Sequence, residues 1–492
     1  MELSCDHLPE AVSNAGDMDP EARSGPQHPG YTFFRQIGSP KYIVAPMVDA
    51  SELAWRLLSR QHSAQLCYTP MYHAKCFVNS EGYRKTFATC AEDRPLIVQF
   101  CANDPEVFSQ ACGLVADRCD AVDLNLGCPQ AIASAGHFGA FLQDEWELIT
   151  SMISRARRDH PNLPITAKIR VFKDIRKTVE YAKILVEAGV SILTVHGRTR
   201  DMKGRLTGVA SWDHIKAVKE SVPVPIFANG NIRYFEDIQK CLQETGADGV
   251  MTAEGNLYNP SLFTGRNPPV VDVAQEYLDL VIKNPCPVSY IRGHLFKLFH
   301  EAIHLAENRD VRERLASAKS IDDFLTVNKD MRERLKKASS ARRPFTAWEL
   351  KCGVKPIPIY RCQPYLRPDP EESSDDQAQR KGPSKTIDQM IDLVQDLERP
   401  ADVDLKALSK NKLKKLMRYP RRSVAILSER TVFSLCKGEN CKNPKGIKCT
   451  FAMCRACCRS YARLERLTCE THHAFFAESR NTGVALPRET QA

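Results

Sequence analysis

No stretch of the sequence approaches the ~18 uninterrupted apolar residues that a membrane-spanning helix needs. Residues 1–30, MELSCDHLPEAVSNAGDMDPEARSGPQHPG, hold acids, prolines and glycines but no apolar core. That pattern excludes a secretory signal and predicts a disordered leader. A glycine-rich dinucleotide fingerprint is absent, and so is any internal repeat beyond an alternation of short apolar runs with amphipathic stretches. Wholesale disorder is excluded as well. Hydrophobic residues at 43% and charged residues at 26% match ordinary globular chains, and 492 residues suffice for several domains.

Charge and cysteine are unevenly spread. After position 400 there are 19 lysines and arginines against 8 acids; before it there are 50 against 52. A near-neutral body with a basic tail reads as a polyanion-binding module attached to something else. Seven of the 19 cysteines lie between Cys436 and Cys469. The others are scattered singly, which in a chain without a secretory signal suggests reduced thiols.

Between Lys41 and Gly255 eight β-branched or apolar runs recur: KYIVAPM, AQLCYTP, PLIVQFC, AVDLNLG, PITAKIR, ILTVHGR, VPIFANG and GVMTAEG. Helical patterns such as SELAWRLLSRQ and TVEYAKILVEAG separate them. Strands alternating with helices imply parallel βαβ units, and eight of them in one domain length predict an α/β fold, a (β/α)8 TIM barrel, over a doubly wound sheet. Residues 272–338 carry helical periodicity without a strand. The organisation expected is a leader (1–30), a catalytic barrel (31–265), a small all-helical domain (266–345), a polar linker (366–409) and a basic, cysteine-rich zinc-ribbon-like module (410–480).

In such a barrel chemistry sits at the carboxyl ends of the strands. Polar groups there are Asp49, Gln99, Asn125, Cys128, Lys168, Arg170, His196, Arg198, Asn229, Asn231 and Glu254. A lysine within ITAKIR must either snorkel to the surface or meet an anion, because an unpaired buried ammonium is costly. A reduced flavin ring would be such an anion. The turns NGNI (229–232) and AEGNL (253–257) close the last two strands, where barrels place a phosphate site. In NLGCP, Cys128 precedes a proline that keeps it out of the strand ladder. It is either an inert thiol or a proton donor or nucleophile.

The series APMVD, QFCAND, DLNLGCPQ, AKIR, VHGRT, ANGNI and AEGNLYNPSLF, in this order and spacing, resembles the tRNA-dihydrouridine synthase family over roughly residues 35–340. The resemblance is nearest to the eukaryotic subfamily that reduces two neighbouring D-loop uridines, positions 16 and 17. It implies an FMN-bearing barrel, a helical tRNA-binding domain, and NADPH (or NADH) as reductant. Pro46, Met47, Val48 and Gln99 would then border the flavin ring. Lys168 and His196 would serve the reduced ring, and Asn229, Gly230, Asn231, Ala253, Glu254 and Gly255 the FMN phosphate. Asn125, Arg170 and Arg198 would hold the uracil. Hydride would pass from FMN N5 to uracil C6, and Cys128 would protonate C5 as general acid. An ordinary thiol is mostly protonated at neutral pH, which suits that role. Many members carry arginine where this chain has Glu254, so a charge contact to phosphate is missing there. Two other readings stay open: a flavin oxidoreductase of a small pyrimidine, and a catalytically weak tRNA- or RNA-binding protein on a retained barrel.

In the tail, Cys436, Cys441, Cys449, Cys454, Cys457, Cys458, Cys469 and His472 make eight potential ligands at zinc-knuckle spacing, enough for one or two tetrahedral sites. The alternative is a redox-active thiol cluster. The run KNKLKKLMRYPRR (410–422) is a solvated helix face, a tRNA-phosphate contact or a nuclear localisation signal. The expected partner is tRNA, with no membrane. A monomer in the cytoplasm is expected, with the nucleus as a second location if that signal operates.

Overall fold

The apolar runs are strands, and they close on themselves. In the computed structural model β1 (Tyr42–Val44), β2 (Leu66–Tyr68), β3 (Tyr72–His73), β4 (Leu96–Cys101), β5 (Ala121–Leu126), β6 (Ile165–Arg170), β7 (Leu193–His196), β8 (Ile226–Asn229) and β9 (Gly249–Thr252) are all parallel. β1 pairs with β9 on one side and β2 on the other, and β2 pairs with β4. Eight strands therefore form a closed barrel, with the two-residue β3 added beside the end of β4. The structure describes residues 28–337 and 345–367. Beyond them it describes separate positions between 391 and 472, with runs of three or more residues over 436–438, 449–465 and 467–469.

Composition explains the closure. Ile43, Val98, Leu124, Ile169, Val195, Phe227 and Val250 are completely buried, and each such side chain stabilises the fold by about 1.5–3 kcal/mol. The intervening helices start where the sequence supplies caps. The Asp104 carboxylate accepts from the Val107 amide before helix Pro105–Gly113, and Asp174 accepts from the Arg176 amide before helix Ile175–Glu187. Gly246, at φ 64°, ends helix Phe235–Thr245 in the left-handed region that favours glycine.

A second core lies under helices Val270–Lys283, Val288–Leu298, Arg309–Ser317 and Ile321–Lys337. It includes Ala54, Trp55 and Leu58 from the first barrel helix, so the helical domain is built onto the barrel. Buried polar groups complete that junction. Tyr277 and His294 bond the two oxygens of Glu52 at 2.7 and 3.1 Å, and Trp55 stacks on His294.

The chain then returns to the barrel, which periodicity does not reveal. Residues 345–367 form a strap with one short helix, Ala347–Lys351. The Cys362 amide donates to the Pro268 carbonyl, Arg233 to the Cys352 carbonyl, and the Lys355 amide to the Tyr234 hydroxyl. The first compact unit runs to Ser373 and the second from Ser374 to the end. The leader to residue 27, residues 368–390 of the linker and most of 410–422 lie outside the described residues. One correction concerns the linker. Val394, Leu405, Leu413 and Leu416 share an apolar cluster with Ile391 and Leu408, because three pairs spaced by three residues present one apolar face each. Part of the expected linker is thus a small core.

Candidate active site and metal centre

Parallel register brings the strand-end residues together in rows. Asn125 is in register with Lys168, Arg170 with His196, and His196 with Asn229. These residues come from four neighbouring strands and share the carboxyl end of the barrel. Pro46, Met47 and Val48 follow β1 at the same end; Val48 is 58% exposed although apolar.

A buried amide chain underlies this row. The Thr166 hydroxyl donates to Asp123 (2.6 Å), as does Gln99 Nε2 (2.8 Å). Asn125 Nδ2 donates in turn to Gln99 Oε1 (2.8 Å). Burial raises the Asp123 carboxyl to about 6, opposed by those hydrogen bonds and by Lys168. Gln99, expected at the flavin edge, is fully buried with its amide engaged at both ends. Asn125 Oδ1 accepts from the amides of Gly127 (3.1 Å) and Cys128 (2.9 Å), so Asn125 fixes the loop that carries the thiol. Arg170 does the same from the other side. Its Nε donates to the Gly127 carbonyl and its Nη1 to the carbonyls of Thr199 and Met202. Gly139 packs on the Cys128 backbone so closely that a Cβ there would meet the Cys128 carbonyl oxygen at 2.8 Å. The Cys128 side chain lies beside Cys101, Ala133 and Phe138.

Lys168 Nζ donates to Asn229 Oδ1 at 3.0 Å, and no carboxylate pairs with it among the described residues. Burial and the Arg170 charge pull it down to about 8, with Asp123 opposing. It is therefore a half-buried ammonium facing neutral amides, the environment of a cation awaiting an anion. His196 is held well below its ordinary value by burial and by Lys168, Arg170 and Arg198. Its Nε2 lies 3.0 Å from Arg198 Nη1, which can only donate, so Nε2 is the unprotonated nitrogen.

Arg198 reaches a separate set of partners. The sequence groups it with Asn125 and Arg170, but its Nη2 donates to Asn231 Oδ1 (3.1 Å) and its Nε to the Thr207 and Gly208 carbonyls. It belongs to the turn after β8. There Gly230 (φ 118°) and Asn231 (φ 64°) adopt left-handed conformations, and a Cβ on Gly230 would meet Ala210 Cβ at 2.6 Å. Ala253, Glu254 and Gly255 follow β9, and a Cβ on Gly255 would meet the Ile232 carbonyl oxygen at 2.5 Å. Sequence reasoning missed Asp123, Gly139 and Arg367. Arg367 Nη2 donates to both oxygens of Glu254 at 3.0 and 3.2 Å.

In the second unit the eight potential sulfur and imidazole ligands sort into two groups. Cys436, Cys441, Cys454 and Cys457 form one; Cys449, Cys458, Cys469 and His472 form the other. Within each, the ligand atoms lie within 4.8 Å of one another. Cys441 and Cys454 sulfurs are 3.7 Å apart, far beyond a disulfide. Tetrahedral thiolates on zinc at ~2.3 Å would sit ~3.8 Å apart. The amides of Gly438 and Cys454 donate to the Cys436 sulfur, and the Met453 amide to that of Cys449, as in metal-binding knuckles. Adjacent residues Cys457 and Cys458 serve different groups. Among the described residues no helix is long and apolar enough to cross a membrane.

A closed (β/α)8 barrel with amides, a lysine and a cysteine at its carboxyl mouth defines an enzyme of the barrel class. The sequence pattern of the Dihydrouridine synthase (Dus) family matches residues 43–348, and the chain belongs to that family. It is 48% identical over 460 residues to a Mus musculus protein named as tRNA-dihydrouridine(16/17) synthase NAD(P)(+)-like, covering 92% of this chain and 91% of the relative. It is 42% identical over 414 residues to the Saccharomyces cerevisiae tRNA-dihydrouridine(16/17) synthase, covering 78% of this chain and 95% of the relative.

Proposed function

We propose that the chain reduces uridine to 5,6-dihydrouridine in the D-loop of tRNA, at positions 16 and 17. Two relatives named for that reaction, matched over nine-tenths of both chains in one case, support the substrate. The observation that carries the chemistry is the pairing of Lys168, bonded to an amide oxygen and to no carboxylate among the described residues, with a tethered Cys128 at one barrel mouth.

The donor set fits FMN. Lys168 offers a cation to an anionic ring, exposed Val48 with Met47 and Pro46 offers an apolar border, and the turns Asn229–Asn231 and Ala253–Gly255 offer backbone to a phosphate. Bound there, FMN would supply the hydride for C6 of the uracil, with NADPH (or NADH) as its reductant. Cys128 would protonate C5. His196 does not compete at Nε2, which carries no proton. The loop of Cys128 is held by Asn125, Arg170 and Gly139, so a base extruded from the RNA meets a thiol already in place.

The two thiol groups fit two zinc ions. The basic tail would add phosphate contacts on tRNA. The reading places a monomer in the cytoplasm, with a nuclear fraction if 410–422 acts as a signal. Mass analysis of tRNA from cells lacking the protein tests the function. Loss of dihydrouridine at 16 and 17 is expected, and unchanged content at both positions sinks the reading.

A further inference from the structure

Barrels gather a phosphate between the loops that follow their last two strands. Here those loops carry Gly230 and Asn231 on one side and Glu254 and Gly255 on the other. A carboxylate at that place repels a phosphate dianion, and no arginine or lysine stands in the turn 253–257 to offset it. Beyond Arg198, a further cation comes from more than a hundred residues away. Arg367, at the end of the strap, donates through Nη2 to both Glu254 oxygens. Arg198, bonded to Asn231, feels both: Arg367 pulls its pKa down after burial does, and Glu254 pushes it up. Three charges thus meet at the two turns, with net charge +1; without Arg367 the set is neutral.

The strap is fastened so as to hold this position. The Arg367 carbonyl accepts from Trp348 Nε1 at 2.9 Å, and Tyr365 stacks on Tyr258, four residues beyond Glu254, with ring centres 5.1 Å apart. Arg361 donates to the Asn267 carbonyl. Only Nη2 of the Arg367 guanidinium is engaged among the described residues, which leaves Nε and Nη1 for a second anion. An exposed ion pair contributes little to folding, so stability alone gives no reason for this arrangement.

We propose that Arg367 is the cationic ligand of the cofactor phosphate, delivered by the strap to a barrel whose own last turn has an acid there. The proposal deepens the flavin reading and rests on it. Glu254 then acts as the tether that aims the guanidinium.

The test uses the full chain, freed of flavin and titrated with FMN and with riboflavin, which lacks the phosphate, by quenching of flavin fluorescence. The wild type should prefer FMN. Arg367→Met should lose about ten- to a hundredfold in FMN affinity, the range of one charge-assisted hydrogen bond, and keep its riboflavin affinity. In Glu254→Gln with Arg367→Met, removal of the repulsion should restore part of the FMN affinity. Arg367→Met retaining the wild-type ratio of FMN to riboflavin overturns the assignment. Equal loss of both flavins overturns it too, since the residue would then only be structural. Full recovery in the double variant reduces Arg367 to a neutraliser and also decides against it. A wild type that binds both flavins alike overturns the Arg367 assignment and leaves the flavin reading standing, whereas one that binds neither overturns the flavin reading and the assignment with it.

Discussion

The barrel and the cysteine module solve the same problem by different means. The barrel buries completely side chains such as Ile43, Leu124 and Phe227, and its strands would close with no ligand present. Among the described residues of the module, those buried around helix Arg455–Leu464 are largely the thiols themselves: Cys436, Cys454, Cys458 and Cys469, with Ala462 and His472. A core made of thiols repels itself if those groups ionise and is satisfied only by a cation. On the zinc reading proposed above, stability is intrinsic to one region and borrowed by the other. Chemistry follows the intrinsic one, because a proton donor must be aimed to within fractions of an ångström, whereas contacts to a polyanion tolerate looser placement.

The sharpest test of that division is Cys128→Ala. Loss of a general acid costs about 10²–10⁴-fold in turnover, with flavin content unchanged, as single-turnover assays and absorbance spectra would read. Turnover like that of the wild type would remove the thiol from the mechanism. Deleting residues 401–492 should come next: an increase in KM for tRNA and a flatter salt dependence of binding, about one unit of slope for each phosphate no longer engaged. If the shortened chain binds tRNA with the same affinity and slope, the module serves something other than tRNA. Metal analysis should give two zinc ions per chain, and Cys454→Ser should reproduce part of the deletion while the barrel keeps its far-ultraviolet spectrum and flavin. One ion, or none, would break the contrast drawn above.

The smallest expected effect is on pH. Lys168 titrates near 8 in the folded chain, below its ordinary 10.5. Between those values the unfolded chain holds the proton and the folded chain has released it. Stability of the flavin-free protein should therefore rise with pH from about 8 to 10.5, the cost of the buried charge being fully present below 8. Lys168→Met should flatten that rise and weaken FMN retention. An unaltered rise in the variant would assign the titration to another group.

Much of the barrel could be read from the chain, because each strand is buried on both faces and so appears as an apolar run. Lys168 and Asn229 were legible for the complementary reason, as polar residues interrupting such runs. Asp123 interrupts one as well, yet its role depends on Gln99 and Thr166 from the neighbouring strands, and alternation does not encode partners. The partners of Arg198 are not legible, because its position at a strand end does not say which way the side chain turns. The strap is invisible in the sequence: residues 345–367 lack periodicity, and their hold on the rest of the unit combines hydrogen bonds such as Cys362 to Pro268 with scattered contacts, Cys362 and Tyr360 in the second core and Tyr365 on Tyr258, that follow no regular spacing. In the module, spacing suggested ligands but not their grouping, since Cys457 and Cys458 separate only in three dimensions.

The tether of the Cys128 loop has one more consequence. Its fastenings are the Asn125 amide, backbone carbonyls, the Gly139 contact and the Arg170 guanidinium. Burial and the neighbouring Arg198 bring that guanidinium down only to about 10. None of these changes protonation between pH 7 and 9, a range that lies above the titration of Asp123 beneath Gln99 and Asn125. The aim of the thiol is thus insulated from the medium, and a pH–rate profile over that range reports proton inventory at the reacting groups while the geometry of the loop stays constant.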